Sequence, residues 1–246
     1  MSCGYPTDPH DYIGNTAWEL RHRTGYDACG FGVHGGRHSE EFNATFWNQC
    51  NNWAVSFESI ARVYGAFNLT WVGDIGVSAC KPGYHQYGRA FDLSQLRDSA
   101  GDFIDMNEDW SPSHDCSALF FTRRYVGVAA SLRRYFGTVL TAWYNADHQN
   151  HMHFDNGTAV GPINSNLKTD TTLIQATCRY MNGESGLAID GAWGPLTEAA
   201  YVRLRTKLHM GCRSPRSNTA DAKLFLLLIA RTGLAGAAAG TYVGPC

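Results

Sequence analysis

Several features that would assign this chain to a common class are missing. The longest apolar run, Leu224 to Ala230, is far shorter than the roughly 20 residues that a membrane-spanning helix needs. No apolar signal segment follows Met1, so we expect a mature form whose signal peptide has been removed. Net charge is only -2 and no basic stretch stands out, which argues against a nucleic-acid partner.

The cysteines also lack a familiar arrangement. None of the eight has the paired short spacing of a zinc finger or zinc ribbon. An even number of cysteines without that spacing favours disulfides, and therefore a secreted protein in an extracellular or periplasmic compartment. Eight cysteines allow too many pairings for the connectivity to be read, and buried reduced thiols are the alternative.

Composition and periodicity predict a globular chain with short elements. Of the 246 residues, 44% are hydrophobic and 17% charged, which suits one large domain or two small ones. Residues 1–44 are rich in Gly and His and are interpreted as mostly irregular. Apolar spacing predicts two helices, over 45–64 and 120–135, and three strands, over 68–77, 91–93 and 138–144.

The most informative segment runs from Asp147 to Asp155 and contains His148, His151 and His153. Successive side chains of a strand point to opposite faces. His151 and His153 are therefore expected on one face, with Met152 and Phe154 in the core. His148, at the entrance of this strand, is expected to reach the same cavity.

A matching segment upstream carries His85 and Asp92. Together the two segments offer two imidazoles, a carboxylate and spare imidazoles to one Zn²⁺. Such a set leaves a coordination position open for water, which hydrolytic zinc sites require. Unconnected surface or core histidines are the alternative interpretation.

These residues resemble a known pattern. His85–Asp92 resembles the His-x-x-Gly-x-Ala-x-Asp signature of the lysostaphin/D-Ala-D-Ala peptidase-like zinc peptidases, and His151-Met152-His153 resembles their His-x-His. The nearest resemblance is to the bacterial extensin-like C-terminal domain family, over most of residues 45–157. It implies that His85, Asp92 and His153 hold the metal, that His151 is the general base or a supporting histidine, and that His148 is auxiliary.

Two positions depart from this family pattern. Gly83 stands where these families often have Ser, and Lys81 stands where they usually have Arg. We expect Lys81 or a histidine to help hold the developing oxyanion. Lys81 lacks the bidentate fork that an Arg would bring to that role.

The C-terminal part has a signature of its own. An Asp-Gly turn at Asp190 is followed by Trp193, Gly194 and Pro195, and Thr197 lies in the first turn of the helix that starts there. This resembles the Asp-Gly-x-Phe-Gly-Pro-x-Thr motif of the three-helix peptidoglycan-binding domain, with Trp in place of Phe. The resemblance implies substrate binding through Asp190, Trp193 and Thr197. A module that only packs against the rest of the chain is the alternative.

The sequence therefore predicts an α+β protein. Residues 1–160 are expected to form a small antiparallel sheet with helices that carries the zinc site, and 165–246 an all-α three-helix domain. The predicted function is that of a secreted zinc peptidase that cleaves an amide bond in peptidoglycan stem peptides or cross-bridges. The partner is then peptidoglycan or a related wall polymer, without nucleic acid or a membrane span. A non-catalytic wall-binding or structural protein that retains zinc, and a zinc hydrolase of another polymer, are the alternatives.

Overall fold

A computed structural model describes residues 4–14, 18–101 and 103–246 of the chain. Within them the strands are β1 (Asp8–His10), β2 (Tyr12–Ile13), β3 (Trp18–Tyr26), β4 (Gly32–Arg37), β5 (Glu40–Phe42), β6 (Leu69–Gly76), β7 (Ala90–Asp98), β8 (Phe103–Asp105), β9 (Thr138–Leu140) and β10 (Met152–Asp155). The helices are α1 (Ala44–Ile60), α2 (Leu119–Arg133), α3 (Lys168–Met181), α4 (Pro195–Lys207) and α5 (Thr219–Leu234). None of these helices has the length and apolar content needed to cross a bilayer.

Eight of the strands form one mixed, curled sheet. Its order is β2-β3-β6-β7-β10-β9, with β4 also paired to β3 and β8 to β7. β3 and β6 run parallel, whereas the other neighbours are antiparallel. β1 and β5 form a separate antiparallel pair.

The predicted small antiparallel sheet is therefore wrong. Residues 1–44, interpreted as irregular, contain β1 to β5, and β2, β3 and β4 extend the main sheet. β3 alternates between buried and more exposed residues from Trp18 onward, but bulges interrupt its pairing with β4. β4 itself has the sequence Gly-Val-His-Gly-Gly-Arg, in which no apolar alternation marks a strand. β4 is a strand because it pairs with β3, and its own sequence gives no sign of this.

The predicted helices over 45–64 and 120–135 are confirmed by α1 and α2, and the strand over 68–77 by β6. α1 begins after Asn43, whose side-chain oxygen accepts hydrogen bonds from the backbone N–H groups of Thr45 and Phe46. The strand predicted over 91–93 is longer in the structure, and the one over 138–144 ends earlier, at Leu140.

The core lies between the sheet and α1. The Trp53 ring of α1 lies 5.8 Å from the Phe154 ring of β10, which stacks at 5.3 Å on Phe91 of β7. All three side chains are buried, and each contributes about 1.5–3 kcal/mol by leaving water. Because side chains alternate along a strand, Asp92 and His153 point to the opposite face of the sheet.

The predicted all-α C-terminal domain is also wrong as a separate structure. The three helices exist, but α5 lies directly on α2, and α3 is tied to α2 by the buried ion pair of Arg133 with Asp170 at 2.7 Å. A Cβ added to Gly233 of α5 would lie 2.6 Å from the Cα of Gly127 on α2. The buried apolar residues of both parts form one cluster. A boundary between residues 160 and 165 stays a prediction.

Disulfides are present, as expected for an oxidising environment. Two join described cysteines: Cys29 to Cys116 and Cys212 to Cys246. Cys80 is also disulfide-bonded, whereas Cys50 and Cys178 are buried free thiols. Cys3 lies outside the described residues.

The glycine contact between α2 and α5 yields a stability test. Gly233→Ala should lower the free energy of unfolding by about 1–3 kcal/mol, because the new methyl group overpacks a backbone contact. In an ordinary helix the same change would instead stabilise by about 1 kcal/mol. Urea unfolding measures the difference, with Gly186→Ala, where a Cβ meets nothing within 4 Å, as the control. A Gly233→Ala protein as stable as the parent would contradict this packing.

Candidate metal centre

Three side chains meet on the sheet face opposite α1: His85 and Asp92, seven residues apart, and the distant His153. His85 Nε2 lies 3.1 Å from Asp92 Oδ1 and 3.2 Å from His153 Nδ1, and the last two atoms are 2.8 Å apart. Tetrahedral Zn²⁺ with bonds of about 2.0–2.1 Å would separate its ligand atoms by roughly 3.3 Å. The spacing of the three atoms is therefore close to that of ligands sharing one ion, and Zn²⁺ fits this donor set.

Strand pairing positions two of these ligands. His153 of β10 is the direct antiparallel partner of Asp92 of β7, and their neighbours Phe154 and Phe91 are paired in the same register. Direct partners point to the same face. The register that buries the two phenylalanines therefore also places the carboxylate and the imidazole side by side.

His85 lies in a single 3₁₀ turn, Tyr84–Tyr87, that two glycines delimit. Gly83 before it has φ +111° and Gly88 after it has φ +62°, conformations that residues with a Cβ rarely adopt. A Cβ at Gly88 would lie 2.8 Å from the backbone oxygen of Glu41. The close approach of this turn to β5 therefore requires glycine at position 88. The positive φ at position 83 explains why Gly83 is suitable there, where the family often has Ser.

The second nitrogen of each ligating histidine has its own acceptor. His85 Nδ1 lies 2.9 Å from the Val77 carbonyl oxygen, and His153 Nε2 lies 3.2 Å from Asp155 Oδ2. An N–H donated to such an acceptor leaves the other ring nitrogen with a free lone pair for a metal. Asp155 thereby gains an orienting role that strand alternation alone had not assigned to it.

The hydrogen bonds within the cluster favour an ionised Asp92 and a protonated His153. Burial raises the pKa of Asp92, but hydrogen bonds from His153 and His85 outweigh burial and hold this pKa well below its usual range. Burial lowers the pKa of His153, but hydrogen bonds to Asp155 and Asp92 outweigh burial and raise this pKa to about 9. A metal ion would displace that proton, so metal affinity should fall as the pH is lowered.

Two further histidines, His151 and His148, lie beside the cluster. His151 Nε2 lies 3.6 Å from Asp92 Oδ1, and its Nδ1 is 2.7 Å from Asn150 Oδ1. The ring of His148 lies 5.0 Å from that of His151 and 6.0 Å from that of His153. Burial lowers the pKa of His151 to about 4 and also lowers the pKa of His148, so both rings are neutral near pH 7.

The nearby cations are Lys81 and Arg23. Lys81 is exposed, and its charge contributes to the lowered pKa of His148. Arg23 is half-buried, donates from Nη1 to the backbone oxygen of Asn150 at 2.8 Å, and stacks over Tyr26. Its charge also contributes to the lowered pKa of His151. We missed Arg23 because it lies in the N-terminal segment interpreted as irregular.

The three C-terminal residues predicted to bind substrate lie on other elements. Gln175 of α3 donates to Asp190 Oδ1 at 2.8 Å and bonds Thr197 Oγ1 at 3.1 Å, so it ties the turn to the start of α4. Thr197 is only 3% exposed. Trp193 is partly buried and donates from Nε1 to Glu198 at 2.6 Å. Asp190 and Thr197 therefore hold the turn in shape, while polymer binding by this motif stays a prediction.

The triad makes a specific prediction about metal content. His153→Ala and Asp92→Ala should each lower the zinc content by one equivalent per chain, because each removes one of three protein ligands. Metal analysis after dialysis at a fixed free-zinc concentration measures the change. His114→Ala is the control, since His114 bonds the backbone oxygen of Glu108, away from this cluster. Unchanged zinc in both triad variants would show that the ion is held elsewhere.

Comparison with known proteins gives one match. Residues 75–164 match the family model described as "Extensin-like protein C-terminus". No curated protein and no solved structure matches the chain. The resemblance to zinc peptidases and to the three-helix peptidoglycan-binding domain stays a prediction. The span that holds His85, Asp92, His151 and His153 is thus similar to the extensin-like C-terminal family.

Proposed function

We propose that the protein is a secreted zinc-dependent peptidase that hydrolyses an amide bond in peptidoglycan stem peptides or cross-bridges. The observation that carries this proposal is the triad of His85, Asp92 and His153 with the neutral imidazole of His151 beside it. Three protein ligands with a free neighbouring base are typical of catalytic zinc sites, whereas structural sites usually have four ligands.

Each residue of the site would have a separate role in hydrolysis. Zinc in such a site polarises a carbonyl group and activates water. Asn150 fixes the tautomer of His151 by accepting from Nδ1–H, which leaves Nε2 free on the side of the triad. His151 would accept the proton of the attacking water and return it to the leaving amine. His148, the auxiliary histidine, borders the same space.

Negative charge that develops on the carbonyl oxygen needs a positive neighbour. Lys81 was the predicted cation, and Arg23 now joins it as a candidate. Arg23 is the more constrained of the two, because Asn150 and the Tyr26 ring hold its guanidinium while Lys81 is exposed. A preorganised donor costs less rearrangement during the reaction than a mobile one, which favours Arg23 for this role.

The proposed substrate class follows from the peptidase-like histidine motifs together with the wall-binding motif. Both resemblances lead to bacterial wall peptides. The disulfides Cys29–Cys116 and Cys212–Cys246 agree with an oxidising location, where such a polymer would be met. Trp193, which is partly buried beside Arg216, offers an aromatic surface next to the turn that could contact the polymer.

The proposal is tested by incubating the zinc-loaded protein with purified peptidoglycan and analysing the products by mass spectrometry. New free amines should form with zinc and disappear after chelation. His151→Ala should keep its zinc but react about 10²–10⁴-fold more slowly, as expected for a lost general base. His114→Ala is again the matched control.

The outcomes separate the alternatives. Sedimentation with peptidoglycan but no new amines would favour the non-catalytic wall-binding protein. Cleavage of a different polymer alone would favour the other zinc hydrolase. If His151→Ala loses zinc as completely as His153→Ala, the roles of these two histidines are reversed.

A further inference from the structure

A second group of metal-type side chains lies outside the site described above. His22, His38, Glu40 and Asp74 each offer one ligand atom, and these atoms all lie within 4.8 Å of one another. We propose that these four residues form a second metal site, which holds Zn²⁺ or a similar divalent transition ion. Two imidazoles and two carboxylates suit such ions.

Asp74 is the centre of this group. It is fully buried, and its Oδ1 lies 3.0 Å from His22 Nδ1 and its Oδ2 2.8 Å from His38 Nε2. The His38 ring also approaches Glu40, because His38 Nδ1 lies 3.8 Å from Glu40 Oε1. Burial of two carboxylates is costly unless their charges are compensated, and one divalent ion compensates both.

The second group is separate from the first. Asp74 of β6 is paired with Leu93 of β7, a core residue, so it points to the α1 side of the sheet. Asp92, one residue earlier on β7, points to the opposite side. His22 is the parallel partner of Asp74 and therefore shares its face.

Four protein ligands close the coordination of a tetrahedral ion, which is typical of a structural site. The ligands come from β3, from the connection between β4 and β5, from β5 and from β6. An ion bound here would fasten the N-terminal strands to the central sheet. This role does not depend on the proposed peptidase activity.

One residue links the two sites. The Val77 N–H donates to Glu40 Oε2 at 3.2 Å, and the Val77 carbonyl oxygen lies 2.9 Å from His85 Nδ1. Ligation of Glu40 through Oε1 would leave Oε2 to hold Val77. The second ion would thereby position the acceptor that orients His85.

The test compares metal contents of the full chain, emptied with a chelator and reloaded at one buffered free-zinc concentration. The double variant His22→Gln/His38→Gln should bind one equivalent of zinc less per chain than the parent protein. This difference is expected whether the parent binds one equivalent or two. Both side chains are partly exposed, at 48% and 26%, so glutamine fits without a change in the core. The control is His10→Gln/His114→Gln, which leaves both groups intact and should not change the metal content.

The converse variant, His85→Ala/His153→Ala, should keep one equivalent, and X-ray absorption at the zinc edge should show two imidazole ligands. Unchanged metal content in His22→Gln/His38→Gln would overturn the proposal. A metal-free converse variant would overturn it too, even if the first double variant did not fold. An unaffected second site in a protein without hydrolytic activity would contradict only the proposed function.

Discussion

The antiparallel pairing of β7 with β10 is the constraint on which the site depends. Phe91 and Phe154 stack on each other and pack under α1, and their position fixes the register of the two strands. A slip by one residue would turn Asp92 and His153 into the core and the phenylalanines out of it. Core packing on one face of the sheet thus maintains the ligand geometry on the other face.

Hydrogen bonding then determines what these ligands can bind. Val77 and Asp155 take up the outer nitrogens of His85 and His153, so the inner atoms converge with lone pairs toward one point. The raised pKa of His153, about 9, reflects the same negative surroundings, because the two carboxylates favour a positive charge there. A proton and a metal ion would therefore compete for this position, and a metal ion would contact all three inner atoms together.

The sequence predicted features that follow from neighbouring residues, but it did not predict features that depend on contacts between residues far apart in the chain. Alternation in Met152–Asp155 correctly placed His153 on the face opposite the core residues Met152 and Phe154, because strand faces follow from a local period of two. The size of the sheet was missed, because β3 and β6 pair in parallel across distant sequence and β4 has no apolar pattern. The role of Gly233 could not be predicted either, because a glycine in a sequence usually indicates a turn. In the structure Gly233 lets the backbones of α2 and α5 come into close contact.

Residues around the candidate site were likewise missed where they come from distant parts of the chain. The span similar to the extensin-like family, residues 75–164, contains the whole triad and His151. Arg23, which donates to the Asn150 backbone oxygen and adds a small contribution to the burial that lowers the pKa of His151, comes from β3. All four members of the second group also lie before residue 75. β3 joins the sheet beside β6, and β6 pairs with β7, which carries Asp92. The N-terminal strands therefore contribute side chains such as Arg23 to the surroundings of His85, Asp92 and His153. The environment of these three residues depends on strands both inside and outside residues 75–164.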